Sequence, residues 1–394
     1  MSDNFFGEIN PPQRLLMGPG PVNVHPRVLR AMSADMLGQF DPEMTEYMNQ
    51  TMALYRQVFM TKNRWTFLID GTARAGIEAA LTSLIEPGAR VLIVRAGRFG
   101  MLLSEIAERL GADIRTLDLE WGQVATLKQI EAALAEHKPA VFATIHGDTS
   151  TTTAQPLDGV GALCHQYGAL SYVDATATLG GMPVKTDEWG IDIVTGGLQK
   201  CMGGPPGSAP ITISDRAAEF IFSRRKVESG IKRDDISDGT RPFIRSNYFD
   251  LAMIMDYWSE KRLNHHTEAT SMLYAARECA RVMLEEGLQA RFARHAAAGA
   301  AMTAGLRALG LTVYGQDAYR MSNVTGVYVP QDVDGERVRH RMREEYQIEI
   351  GTAFGPLAGK IWRIGAMGYN AELNKVRITL AALKEVLASE RNGF

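Results

Sequence analysis

Lys200 and Asp174 are the residues whose surroundings most clearly point to chemistry. Lys200 follows the apolar run Ile191-Asp192-Ile193-Val194 and a Gly196-Gly197 break, and it precedes Gly203-Gly204-Pro205-Pro206-Gly207. That order delivers one lysine from a buried strand into a glycine-lined turn. Asp174 ends a second short run, Ala169-Leu170-Ser171-Tyr172-Val173. A lysine amine can form a Schiff base with the aldehyde of pyridoxal phosphate, and a carboxylate can keep the pyridine nitrogen protonated so that the ring accepts electrons. Taken singly, a surface lysine and a helix-capping aspartate are the simpler explanations. What accompanies them decides between the two.

Other residues fit around such a group. The loop Asp70-Gly71-Thr72-Ala73-Arg74-Ala75-Gly76 joins a strand to a helix, and its small residues let backbone N–H groups approach an anion such as a phosphate. On its own it is better read as an ordinary strand-to-helix turn. It is not a nucleotide-binding P-loop, because no lysine followed by serine or threonine closes it. Gly355-Pro356-Leu357-Ala358-Gly359-Lys360 is one residue short of that spacing, and Ile361 follows its lysine. No convincing dinucleotide GxGxxG is present. Phe99, in Gly97-Arg98-Phe99-Gly100, can stack on a planar ring or fill the core. Arg363 interrupts the apolar strand Ile361-Trp362-Arg363-Ile364-Gly365, so it needs an anionic partner, either a substrate carboxylate or a structural ion pair.

Metal chemistry is not expected. His265 and His266 are adjacent, and adjacent residues do not share a helix face. No cysteine or carboxylate cluster at ligand spacing accompanies them. His146-Gly147-Asp148-Thr149-Ser150 follows a strand end and is expected to line a cofactor pocket.

The elements that must position these residues alternate. From about residue 60, strand runs at 65–69, 90–94, 140–144, 169–174 and 191–195 are interleaved with helical runs around 77–81, 102–110 and 159–167. This rhythm predicts an α/β domain with a mostly parallel sheet covered by helices on both faces. A long helix over 268–286 breaks at Gly287. An alanine-rich helix, a strand at 323–329, a charged helix at 334–346, short strands near Ile348 and Trp362, and a last helix at 371–389 then suit a smaller α+β domain. The division expected is an N-terminal arm at 1–17, a large domain at 18–286 and a small domain at 287–394.

Composition is that of a soluble globular protein, with 45% hydrophobic and 22% charged residues over 394 positions. A net charge of -3 gives no reason to expect nucleic acid. The basic stretch Arg224-Arg225-Lys226 reads as a solvated loop. Three cysteines without a CxxC argue for a reducing compartment. The N-terminus lacks the pattern of a secretory signal, the C-terminus is no peroxisomal address, and no apolar stretch is long enough to span a bilayer. The cytoplasm is the expectation, with no membrane partner.

Several segments in order resemble the class V (fold type I) pyridoxal phosphate aminotransferases, in particular the alanine/serine–glyoxylate group. They run from Gly18-Pro19-Gly20-Pro21 through His146–Thr151, Gln155-Pro156-Leu157-Asp158, Val173-Asp174-Ala175, Leu179-Gly180-Gly181, Gln199-Lys200 and Asn264-His265-His266-Thr267 to Arg363-Ile364-Gly365. The resemblance implies a seven-stranded sheet in the large domain and pyridoxal 5'-phosphate as cofactor. Lys200 would carry the Schiff base and move the proton. Asp174 would pair with the ring nitrogen, and Phe99 would stack on the ring. Thr149, Thr176 and Gln199 would reach the cofactor's polar edge, and Thr72, Ala73 and Arg74 would surround its phosphate. Arg363, with Gly20, would hold the substrate carboxylate. His266 and Thr267 would reach a neighbouring subunit's site, which implies a homodimer with shared active sites.

Three departures set this chain apart within the group. Asn264 stands where the alanine–glyoxylate enzymes carry tyrosine, Thr72-Ala73-Arg74 replaces Ser-Gly-His, and Gln39 stands where many relatives have histidine. Two carboxamides facing a substrate complement a ureido group, which offers a carbonyl acceptor and N–H donors. The expected reaction therefore moves an amino group from a ureido-bearing donor of purine catabolism to glyoxylate. If Gln39 and Asn264 only bond backbone groups, alanine or serine is the donor instead. A desulfurase is disfavoured, because no cysteine follows Cys279 to serve the small domain.

Overall fold

The computed structural model describes residues 7–391. The readings of the extreme termini, no secretory signal and no peroxisomal address, fall partly on residues outside that range. Among the described residues no helix is long and apolar enough to cross a membrane.

Seven strands form the central sheet. They are β1 (Trp65–Asp70), β2 (Arg90–Arg95), β3 (Asp113–Asp118), β4 (Val141–Ile145), β5 (Leu170–Asp174), β6 (Ile193–Thr195) and β7 (Ser208–Ile213), in the spatial order β1-β7-β6-β5-β4-β2-β3. All pairings are parallel except those of β7, which runs antiparallel to both neighbours. The central strands are buried from end to end, as expected when helices cover both faces. Only the edge strand β3 keeps a half-exposed, polar pattern.

Two strands of this sheet, β3 and β7, are absent from the sequence expectation. β3 has only Ile114 and Leu117 as apolar residues among polar and charged ones, as an edge strand can, and β7 contains Pro210, which normally argues against a central strand. The exception has a geometric cause. Strand β6 pairs only with Ile211–Ile213, so Pro210 lies just past the end of that ladder, where the last bond is Gly196 N–H to the Pro210 carbonyl.

Two helices frame the site. α1 (Ala73–Leu84) follows β1, and α2 (Arg98–Arg109) follows β2. Helix α1 is almost wholly buried, and a Cβ on Gly76 would come within 2.9 Å of Ala209, so glycine permits close packing on β7. The other end of α1 corrects the reading of one arginine. Arg224 is not in a solvated loop. It is 1% exposed, and its guanidinium donates to the carbonyls of Thr82 and Ser83 at 3.3 and 2.9 Å. Those are last-turn carbonyls of α1 with no helical donor, and a cation there complements the helix dipole.

Beyond Gly287 a second apolar core forms. Helices α3 (Leu288–Ala308), α4 (Gly335–Tyr346) and α5 (Leu373–Arg391) pack on a small sheet of β8 (Val324–Tyr328), β9 (Gly351–Thr352) and β10 (Ile361–Gly365), ordered β8-β10-β9. Met302, Val338, Trp362 and Leu383 belong to this core, which is separate from the core around the large sheet. Met17 joins it, and Leu15–Leu16 pair in parallel with Ile348–Glu349.

Candidate active site

The C-terminal ends of the parallel strands converge on one cavity of about 260 Å³, where ligands bind in open α/β sheets. Its walls include Thr72, Ala73, Arg74, Phe99, Thr149, Asp174, Thr176, Gln199 and Lys200. Nine residues singled out from sequence therefore meet in one place, although they come from five different strand ends.

Each wall residue is held by local structure. After β6 the chain turns tightly, with Gly203 N–H donating to the Lys200 carbonyl at 3.0 Å and Gly204 N–H to that of Leu198 at 2.9 Å. The Lys200 amine donates to the Pro19 carbonyl. Gly20 has φ +96°, which favours glycine, and a Cβ there would displace the end of the Lys200 side chain. Burial, followed by the positive charge of Arg363, pulls the Lys200 amine down to about 8. A lysine in this state is much closer to a free nucleophile at neutral pH than an ordinary one.

Asp174, at the end of β5, is 4% exposed. One of its oxygens accepts from the Thr176 N–H at 2.8 Å, and among the described residues none but Thr176 donates to its carboxylate. Burial pushes its carboxyl up from the usual carboxylate range. A buried acid facing a cavity needs a cationic donor to stay ionised, which a protonated ring nitrogen supplies. The hydroxyl of Thr176 and the side-chain carbonyl of Gln199 are buried with no hydrogen-bond partner among the described residues. Orphaned polar atoms on a cavity wall mark where a ligand bonds.

The loop before α1 suits an anion. Thr72 is the N-cap, yet its side chain makes no capping bond, which leaves its hydroxyl and the first helical N–H groups to an outside acceptor. Arg74 adds a cation on the same wall. Phe99 sits in the first turn of α2, whose N-cap, Gly97, has no side chain of its own. Asp148 and Ser150 supply the missing cap from another strand end. The Phe99 N–H donates to Asp148 at 3.2 Å, and the Arg98 N–H donates to the Ser150 hydroxyl at 3.0 Å. These residues fit pyridoxal phosphate: an open helix N-terminus, an aromatic face, a buried carboxyl, unpaired polar atoms and an activated lysine share one cavity.

Arg363 is 4% exposed and makes no ion pair among the described residues, so the structural salt bridge is set aside. It donates to the carbonyls of Thr352 and Thr149, each at 2.7 Å, and burial pulls its guanidinium down to about 10. A buried arginine held only by carbonyls retains its demand for an anion.

Some expectations are revised. Gly147 and Thr149 line the cavity, but His146 does not. Its ring bonds the Thr178 hydroxyl at 2.8 Å and packs edge-on against Trp189, and burial lowers it to about 4. It is a core histidine. Gln39, Asn264, His266 and Thr267 are not among the residues lining the Lys200 cavity of their own chain. Gln39 and Asn264 bond each other, not the backbone, with Gln39 Nε2 donating to Asn264 Oδ1 at 2.9 Å. His266 faces the Asp70 carboxylate at 3.1 Å, and Thr267 is exposed. The expectation that no carboxylates accompany the histidine pair is also corrected. Ligand atoms of Asp70, His266 and Glu268 lie within 4.8 Å of one another, which the 196-residue separation of Asp70 from His266 concealed. Burial beside Asp70 pushes the Glu268 carboxyl well up, which favours the neutral acid.

Sequence reasoning missed Arg98, Ile77, Leu102 and Ala177, all of which line the cavity. Position beside Phe99 is the one signal that could have found Arg98.

Residues 27–362 match the family model described as aminotransferase class-V. The chain is 52% identical to the (S)-ureidoglycine–glyoxylate transaminase of Bacillus subtilis over 391 residues, 98% of this chain and 94% of that relative. It is 37% identical to the alanine–glyoxylate aminotransferase of Callithrix jacchus over 380 residues, 95% of this chain and 88% of that one. Among solved structures, the ureidoglycine–glyoxylate aminotransferase of Bacillus subtilis superposes with a TM-score of 0.93 at 50% identity, covering 98% of this chain and 96% of that one. An alanine–glyoxylate aminotransferase from Nostoc sp. follows at 0.91 and 38% identity, covering 98% and 99%.

Proposed function

The chain belongs to the class V aminotransferases, which depend on pyridoxal phosphate, and on that premise we propose that it moves the amino group of (S)-ureidoglycine to glyoxylate. Donor and acceptor exchange an amino group and a Cα hydrogen for a carbonyl oxygen, leaving oxalurate and glycine. The observation that carries this reading is the Gln39–Asn264 pair. Among the described residues, the Gln39 side-chain oxygen is buried without a partner, and the amide N–H groups of the exposed Asn264 are uncommitted. An acceptor and a donor side by side match the N–H and carbonyl of a ureido group. A donor such as alanine offers the pair no partner, and a site that hydrogen-bonds a polar group of its substrate rejects an analogue lacking that group. The identity to a ureidoglycine-using relative supports the same choice.

Because the pair does not line its own chain's cavity, we assign it, with His266 and Thr267, to the neighbouring subunit's site in a homodimer. Pyridoxal phosphate, when bound, supplies the electron sink that lets the Cα–H bond of an amino acid break. Thr72, Ala73 and Arg74 hold its phosphate, and Phe99 covers its ring. Asp174 takes the ring N–H, while Thr149, Thr176 and Gln199 bond its polar edge. Arg363 would grip the substrate carboxylate beside Gly20, and the Lys200 Nζ would take the proton from the donor's Cα and, in the second half of the exchange, deliver one to the Cα of the glycine formed from glyoxylate. The setting we propose is cytoplasmic purine (allantoin) catabolism. The arm at 1–17, large domain at 18–286 and small domain at 287–394 form our division of the chain, supported by the two separate apolar cores.

Single-turnover spectroscopy of the holoenzyme tests the reading. Freshly generated ureidoglycine should convert the bound cofactor rapidly to its aminated form, and glyoxylate should reverse the change. Comparable rates with alanine or serine would transfer the protein to the general glyoxylate aminotransferases.

A further inference from the structure

Arg74, Arg98 and Lys200 line the cavity, and Arg363 lies close enough to lower the Lys200 pKa. Three of these cations already have assigned tasks: Arg74 at the cofactor phosphate, Lys200 at the reacting carbon and Arg363 at the α-carboxylate. Arg98 has none. Among the described residues no carboxylate lies within ion-pair distance of its guanidinium, and the bond that fixes this residue is made by its backbone, from N–H to the Ser150 hydroxyl. Its guanidinium carbon lies 4.4 Å from the centroid of the Phe354 ring and 5.5 Å from that of Phe99.

The same Phe354 ring also takes the Arg363 guanidinium, at 5.0 Å. Stacking satisfies the flat face of a guanidinium and leaves its N–H edge free to donate. Two guanidiniums on one ring repel each other, and Arg98 is one of the causes that pull Arg363 down. Such an arrangement is reasonable where the ligand brings two acceptors, one for each cation. We infer that Arg98 is a second substrate-recognising guanidinium, donating to the side-chain carbonyl oxygen of a ureido-bearing donor while Arg363 holds its α-carboxylate. This rests on the function proposed above. It adds a donor from the subunit that owns the lysine to the carboxamides assigned to the neighbour, and a ureido oxygen has two lone pairs to accept both.

The experiment compares wild type, Arg98→Gln and Arg98→Lys as holoenzymes, measuring kcat/KM for ureidoglycine and for alanine at saturating glyoxylate. The ratio of the two values should fall about ten- to a hundredfold in Arg98→Gln, the usual cost of losing a charged hydrogen bond, and chiefly through KM. Arg98→Lys should recover part of it, because the cation remains while the planar fork is lost. An unchanged cofactor absorbance confirms that the site is intact. If both donors lose equally, or neither loses, with a wild type that does use ureidoglycine, the inference is overturned and the function reading stands. A wild type that cannot use ureidoglycine overturns the reading, and the inference with it.

Discussion

The Lys200 amine should capture pyridoxal phosphate with a pH dependence displaced far from that of an ordinary lysine. Burial disfavours the charged form, and Arg363 repels it, so the proton leaves near pH 8, not near the usual 10.5. The neutral amine, which is the nucleophile, therefore grows as pH rises and is nearly complete above about 9. At pH 7 roughly one amine in ten is neutral, against about one in three thousand for an unperturbed lysine, a gain of about 300-fold. The assay is stopped-flow absorbance of apo-protein mixed with cofactor across pH 6 to 10. A small free amine run in parallel removes the cofactor's own titration. Log rate should rise with unit slope below the midpoint and flatten above it. Arg363→Gln should move the midpoint upward, because a repelling charge is gone, although only in part, since burial is the larger cause. A rate that keeps climbing through pH 9 without a plateau would refute the reasoning. A midpoint indifferent to Arg363 would refute its electrostatic half.

Two further outcomes follow from the geometry. A hybrid dimer of one Lys200→Ala and one Asn264→Tyr protomer should regain ureidoglycine turnover that neither homodimer shows, because one of its two sites is then intact. No recovery in the purified hybrid would place Asn264 in the site of its own chain. Gly299→Ala should destabilise the second apolar core by about 3 kcal/mol or more, read by chemical denaturation, because its Cβ would overlap the Ser322 carbonyl oxygen from within α3. A loss below about 1 kcal/mol would mean that the helix shifts freely there.

The chemistry was more legible in the sequence than the fold around it. Asp174 closes one apolar run and Lys200 follows another, and short apolar runs bounded by glycine become buried strands. Periodicity and composition determined the alternation of strands and helices, the break at Gly287 and the residue types able to serve a pyridoxal phosphate site, because those depend on local burial patterns. Local pattern could not reveal β7, because Pro210 is tolerated only where a neighbouring strand happens to end. Nor could it show that Arg224 is a buried helix cap, that His146 belongs to the core or that Asp70 meets His266 and Glu268, since each depends on a partner distant in sequence. The same holds for Arg98. Its type and its place beside Phe99 were visible, but its lack of an ion-pair partner and its stacking on Phe354 were decided only when the turn after β2 met the loop before β10. A residue's chemistry is written in its type. Whether that chemistry is spent on the protein or left for a ligand is decided by what the fold places against it.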